Sequence, residues 1–348
     1  MAGVYQHFIP RFLQKGFRIP SNAKDVRSWM YDRSREARPT NLKAIGMEGY
    51  FYSVETEPDL DDKITLVEEK VFSPLIDRLR RGELDDVSIR ELPDLLAHFE
   101  IRSRHVRQNM ASAGDACVEC ILQRMADPEV LAQLLRPHLT LDSPAFAQAI
   151  GDMANADQIK QLLAQRPDLL SGELFDVLVR GAATNIAALL PGTKDMIARA
   201  VKQSHIRVMS EEISPEKRAD RFRLLTYSLE NYAPADLPLG DSIVLFHVKG
   251  ERAFRLFLDK EEELVHVVLP LASNLYLMGT AGAYQGTPTY DIPREIARCS
   301  MDYFIASEDK PHLADLRHQI GSNSRWVSEA EVNSMMEEVI QKLMLGEP

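Results

Sequence analysis

His7 lies three residues before Pro10 in the opening QHFIPRFLQKGF, where Phe8, Ile9, Phe12 and Phe17 are placed to pin the segment to a core. A histidine held that way can act as a general base, a metal ligand or a hydrogen-bond donor to a phosphate. It serves equally as a ring that satisfies buried backbone groups and locks the segment. Asp32 closes one strand-like run and Asp241 opens another, so both carboxylates can project from a sheet end. If the two chain ends share a sheet, His7, Asp32 and Asp241 converge, and a histidine with two carboxylates can hold a divalent cation or activate water. Turn capping is the competing role for both aspartates. Arg102, Arg104 and Arg107 would then grip phosphate beside them. Together these residues describe a hydrolase acting on a phosphate-containing or nucleic-acid substrate.

Glu68 and Glu69 fall on the first long helical pattern, and Glu68, near the edge of its apolar stripe, is placed to ion-pair with Arg102 on the next helix. Cys117 and Cys120 form a lone Cys-x-x-Cys without a second pair, so they read as small packed residues rather than a zinc or redox site. Gly279–Ala283 is loosely glycine-rich but lacks the spacing of a phosphate-binding loop and reads as a connection. No Gly-x-Ser-x-Gly and no His-Glu-x-x-His occurs.

The chain has 348 residues, 45% hydrophobic and 27% charged, as expected of a globular protein of two or three units, or of one large unit with an insertion. No apolar run approaches the roughly 20 residues of a membrane span. The opening residues lack a signal core, and three cysteines suit a reducing compartment, so the expected location is cytoplasmic. A net charge of −11 argues against a dedicated nucleic-acid coat or a membrane-surface binder, while leaving nucleic acid or a protein as possible partners. The charge is unevenly spread. Met1–Ala44 holds nine Lys or Arg against three acids, and Ile45–Glu100 holds fifteen acids against six bases. An ordinary solvated face accounts for such runs as readily as an anion-binding surface does.

Val26–Asp32 and Tyr50–Val54 are aromatic and β-branched, and read as short strands. From Asp61 the period turns helical: Ile64, Val67, Val71, Leu75 and Leu79 share one face, with Pro74 placed to kink the helix and Gly82 to end it. Ser88 and Glu91 have capping-box spacing ahead of Leu92, Leu95, Leu96 and Phe99. Further helices are expected at about 129–136, 144–151, 156–165, 172–190, 194–209 and 215–230, with no fixed repeat. Ser242–Val248 and Glu263–Leu269 read as strands, Ala253–Leu258 more weakly so. Helices are expected near Ile292–Ile305 and at Glu329–Leu345.

Gln6–Phe17 resembles the start of a family of mostly bacterial proteins, the domain of unknown function 4238, which opens with a His-aromatic-aliphatic-Pro phrase followed by Phe-Leu-x-x-Phe. Ser28-Trp29-Met30-Tyr31-Asp32, Glu48–Tyr52 and the acidic helix with Glu68 and Glu69 are similar to successive family segments. So, in order, are Gly240–Val244, Leu269–Ala272 and Ser324–Ser328. Arg102-Ser103-Arg104 and Gly240–Val244 both lack a proline the family carries. The resemblance leaves about 115–230 unmatched and implies no particular activity.

The expectation is therefore an α+β fold, predominantly helical, whose small sheet uses strands near both chain ends around a helical middle. Its parts would be 1–114, a helical insertion at 115–230, and 231–348. The alternative to a hydrolase is a protein-interaction module that uses the helical middle.

Overall fold

The computed structural model describes residues 5–22, 24–52, 59–136, 155–166, 172–250, 253–259, 262–282, 290–325 and 329–345. The strands are β1 (Tyr5–His7), β2 (Arg27–Asp32), β3 (Arg35–Asn41), β4 (Met47–Gly49), β5 (Leu225–Asn231), β6 (Leu239–Gly240), β7 (Leu245–Val248), β8 (Phe254–Arg255), β9 (Leu264–Ala272), β10 (Leu275–Ala281) and β11 (Tyr303–Ala306). The helices are α1 (Arg11–Gln14), α2 (Leu60–Val67), α3 (Ser73–Arg80), α4 (Asp86–Arg102), α5 (Arg104–Met125), α6 (Pro128–Leu135), α7 (Ala156–Gln165), α8 (Glu173–Glu211), α9 (Glu216–Arg223), α10 (Ile292–Cys299), α11 (Pro311–Leu316) and α12 (Glu329–Leu345). The protein is α+β, with helix well in excess of strand.

Its chain divides into two compact units, Met1–Asn109 with Val201–Trp326, and Met110–Ala200 with Val327–Pro348. Among the described residues the first unit carries three sheets rather than the single small sheet expected from the sequence. In the four-stranded sheet, ordered β3-β2-β11-β6, the chain ends do meet: β2 pairs antiparallel with β11, with Asp32 opposite Tyr303. A five-stranded sheet, ordered β5-β10-β9-β7-β8, uses C-terminal strands alone, and among the described residues β1 pairs with β4 alone. In β9, Val265–Leu271 is buried throughout, as a central strand flanked on both sides must be. Pro270 has no N–H to give the ladder, and the β9–β10 register slips beside it, between Leu275 and Tyr276.

The first helical pattern holds with its interruption. A π-helical turn, Glu68–Phe72, joins α2 to α3 just ahead of Pro74, and Gly82, at φ +80°, follows the end of α3. Proline lacks a ladder N–H and its ring crowds the preceding turn, so the wider turn falls where the sequence requires it. α4 starts one turn earlier than the Ser88–Glu91 spacing implies, because Asp85 is the cap: its carboxylate accepts from Ser88 N at 2.8 Å. Leu92, Leu95, Leu96 and Phe99 of α4 join Leu13, Phe17, Phe72, Leu75 and Leu79 in the main core, against Val267, Leu269 and Leu271 of β9.

Several expected elements change type. The helix foreseen over 215–230 is α9 followed by β5, whose Leu225, Tyr227 and Leu229 alternate inward with period two. The foreseen helix Ile292–Ile305 is α10 followed by β11, and the supposed glycine-rich connection is largely β10. β7 begins only at Leu245, because Val244 N donates to Ser242 O at 2.7 Å in a γ-turn that sets Ile243 at φ +66°. The strand expected at Tyr50–Val54 is displaced to β4, while residues 53 and 54, and the helix expected at 144–151, lie outside the described residues. The two helices expected at 172–190 and 194–209 are one, α8, which runs through Pro191.

In the second unit, Leu131 of α6 packs with Phe175, Val179 and Ala183 of α8. Arg124 of α5 pairs with Glu337 of α12 at 2.8 Å. Among the described residues no helix is long and apolar enough to cross a membrane.

Candidate functional site at the α4–α5 elbow

α4 ends at Arg102 and α5 begins at Arg104, so Ser103, in an extended conformation (φ −62°, ψ 141°), is both the last cap of one helix and the lead-in to the next. Helical continuation on both sides fixes the directions of the flanking arginines. Arg102 is 3% exposed, its Nη1 ion-paired to Glu68 from the π-helical turn and its Nη2 donating to the His7 carbonyl of β1. The Glu68 partnership is the one the sequence suggested. Burial lowers the pKa of Arg102. His98, one turn back on α4, donates from Nδ1 to Ile213 O at 2.9 Å, and its other nitrogen lies 3.3 Å from both Glu68 and Arg102. Burial takes His98 down to about 4, so the ring is neutral beside the ion pair.

Arg107 lies in the first turn of α5. Its Nη2 donates to Phe51 O at 2.7 Å and lies 3.0 Å from Nδ1 of His205, while its Cζ sits 3.8 Å from the centroid of the Phe51 ring. Tyr52 turns its ring edge to Phe51, with centroids 4.7 Å apart, and Arg102 lies 5.6 Å from the Tyr52 centroid. The Phe51–Tyr52 corner therefore stands between the two guanidiniums. Arg107 is 8% exposed, and its Nε and Nη1 have no hydrogen-bond partner. The same holds for the buried Ser103 hydroxyl, Nε of Arg102 and Nε2 of His7. Burying a donor without an acceptor costs about 1–3 kcal/mol, more when it is charged. Several such donors in one elbow make it the least satisfied polar region of the described chain.

His7, Asp32 and Asp241 do not form the expected triad. The sheet brings Asp32 and Asp241 to the same end, on either side of Tyr303, but each carboxylate is spent locally. Asp32 takes Arg38 at 2.6 Å and Ser34 at 3.1 Å; burial opposes its charge, yet these bonds hold its carboxyl below the usual range. Asp241, 2% exposed, accepts from the backbone N–H groups of Met301, Asp302 and Tyr303 at 2.8, 2.9 and 3.3 Å and from His105 Nε2 at 3.0 Å. It ties the start of β11 to α5. His7 lies against the backbone of Leu42 and Lys43; burial, with Arg11 and Arg102, lowers its pKa. No hydrogen bond joins the three, and no group of three His, Cys, Asp or Glu among the described residues is arranged to hold a metal.

The three arginines also divide. Arg104 is held outward by Asp302 at 2.6 Å and Glu48 at 3.2 Å, whereas Arg102 and Arg107 are internal. Sequence reasoning missed His105, His205, Phe51 and Ser103. For Ser103 and His105 the signal was the run Arg102-Ser103-Arg104-His105-x-Arg107 itself, whose serine marks the helix break. A cleft lined by Arg255, Leu256, Phe257, Asn323 and Arg325 is too shallow to enclose a water molecule.

Residues 5–165 match the model of the family described as protein of unknown function (DUF4238), the family that the opening phrase resembles. The match reaches into the stretch after 115 that the sequence phrases had left out, and it ends before the later phrases at Gly240–Val244, Leu269–Ala272 and Ser324–Ser328, the last of which lies partly outside the described residues. No curated protein and no solved structure matches the chain.

Proposed function

We propose that the chain binds a phosphate-type oxyanion at the α4–α5 elbow. The observation that carries this reading is Arg107: a guanidinium 8% exposed, locked by Phe51 and His205 through Nη2, with Nε and Nη1 unpartnered. The buried, unpartnered hydroxyl of Ser103 stands at the N-terminal entry of the 22-residue α5, one turn ahead of Arg107, where helix amides favour negative charge. An oxyanion accepts from guanidinium and hydroxyl together, removing the cost of leaving them bare.

This is a binding function rather than the hydrolysis expected from His7, Asp32 and Asp241. His105, held by the Asp241 carboxylate, is two residues from Arg107 and so lies on nearly the opposite side of α5. The free cysteines agree with a reducing, cytoplasmic setting.

Titration of inorganic phosphate into the full chain, followed by calorimetry and by thermal unfolding, tests the reading. Phosphate should raise Tm in a concentration-dependent way. Arg107→Gln and Ser103→Ala should each weaken binding about tenfold or more while circular dichroism stays unchanged. Absence of any phosphate effect on the folded wild type sinks the proposal.

A second reading, an interaction module, rests on α8. Leu178, Leu189 and Met196 are 62%, 60% and 59% exposed and fall within about 20° of one line on the helix. Laid antiparallel on a second copy about Leu189, this face sets Leu178 against Ala200 and Met196 against Ala182, large against small. Light scattering of wild type against Leu189→Glu decides: self-association lost in the variant supports the reading, and a monomeric wild type removes it.

A further inference from the structure

We propose that His205 is a proton-operated latch on Arg107, a regulation that rests on the oxyanion reading above. The protonation state of His205 follows from its two contacts. Nε2 lies 2.7 Å from Ile101 O, which can only accept, so Nε2 carries the hydrogen. Nδ1 lies 3.0 Å from Nη2 of Arg107, which can only donate, so Nδ1 is bare. Both contacts are satisfied only by the neutral ring. A proton on Nδ1 would set an N–H against a guanidinium N–H, break the contact and free one Arg107 donor.

The groups facing the ring are few. Ile101 comes from α4, Arg107 from α5, and the Phe51 ring meets it edge-on with centroids 6.2 Å apart. Lys202 lies one turn back on the same helix, and Glu48 of β4 acts on both Arg107 and Lys202. No carboxylate hydrogen-bonds to His205 among the described residues. Burial, and then Arg107, take His205 down to about 4.

An anion beside Arg107 cancels the charge that opposes the proton, and the protonated ring adds a positive charge beside the anion. Binding and protonation therefore favour each other by linkage. Anion affinity rises as pH falls, and binding takes up protons.

Sulfate is the probe, because its charge is constant over the range used. Its affinity for the full chain is measured by calorimetry at about pH 7.5 and about pH 5.5, in buffers of different ionisation enthalpy to count protons taken up. Wild type should bind several-fold more tightly at the lower pH and take up protons. His205→Gln keeps an acceptor for Arg107 and a donor for Ile101 O but cannot titrate, so it should bind sulfate with little pH dependence and no such uptake. A wild type whose affinity is flat with pH, or a Gln variant that keeps the wild-type slope, overturns the latch and leaves the oxyanion site standing. Failure of sulfate to bind the folded wild type at either pH overturns both. If the variant does not fold, the His205 ring protons of wild type are titrated by NMR with and without sulfate. Their midpoint should move up with sulfate, and an unmoved midpoint ends the proposal.

Discussion

Arg107 and Phe51 hold each other twice: the guanidinium lies over the ring at 3.8 Å, and its Nη2 donates to the carbonyl of that same residue at 2.7 Å. The side chain and backbone of one residue thus fix both the plane and the rotation of the other. A guanidinium so fixed loses little further freedom when it takes a ligand, which is the physical basis of a preorganised anion site.

Phe51→Leu should therefore do two separable things. Loss of buried aromatic packing and of the cation–π contact lowers stability by about 2–3 kcal/mol. With the ring gone the guanidinium is free to rotate, so phosphate affinity falls even where the variant is fully folded. Urea unfolding and phosphate titration read the two effects. A variant with wild-type affinity would show that the ring does not position Arg107.

Asp241→Ala removes an acceptor shared by three backbone N–H groups and His105, all of them buried or partly buried. The turn entering β11 then has no partner for those N–H groups, and His105 Nε2 loses its acceptor. A loss of about 3 kcal/mol or more is expected. Amide exchange at Met301–Tyr303 should accelerate well beyond the global change. Unaltered protection at those amides would mean that the carboxylate is not what holds the turn.

Glu68→Gln leaves Arg102 as a buried charge without its carboxylate. Breaking a buried pair from one side costs about 3–5 kcal/mol. His98 cannot compensate, since its Nδ1 is engaged by Ile213 and burial keeps the ring neutral. The double variant Glu68→Gln with Arg102→Met should recover part of the loss, because neither charge then remains. Equal losses in the single and double variants would show that the pair is not the unit of stability.

The helical pattern of α2–α4 and the pairing of the two chain ends were legible in the sequence because their signals are local and periodic: Ile64 to Leu79, Leu92 to Phe99, and the run ending at Asp32. β5 was hidden behind α9 because its alternation, Leu225, Tyr227 and Leu229, spans only three apolar positions directly after a helix, and β10 is needed to pair with it. At the site, Asp241 was recognisable as a carboxylate at a strand end, but its partner His105 lies 136 positions away in sequence, and no spacing rule reaches that far. The arginines were recognisable as a basic cluster. Which of them face inward depends on Ser103 breaking the helix between Arg102 and Arg104, and on Phe51 being there to receive Arg107.

Glu100 gives the fold a pH dependence of definite sign. Its side chain is fully buried, Oε1 accepts from Leu258 N at 2.8 Å, and Arg218 stands at 3.4 Å. Burial outweighs Arg218 and the backbone bond and pushes its carboxyl up from 4.5 to about 7. The folded state thus keeps a proton that the unfolded state gives up. Between about pH 4.5 and 7 the unfolded chain binds fewer protons, so this residue makes stability fall as pH rises, by about 3 kcal/mol in all. Below that window it contributes no penalty, and above it the penalty is complete. Glu100→Gln cannot ionise. The difference in unfolding free energy, wild type minus variant, should decline across the window and level off above it. His98 works in the opposite direction: its lowered value makes stability fall as pH drops from about 6.5 towards 4, and it does so equally in both proteins, which is why the difference isolates Glu100. Urea titrations at several pH values provide the measurement. A difference that stays flat, or grows with pH, would show that Glu100 is ionised in the folded state at neutral pH.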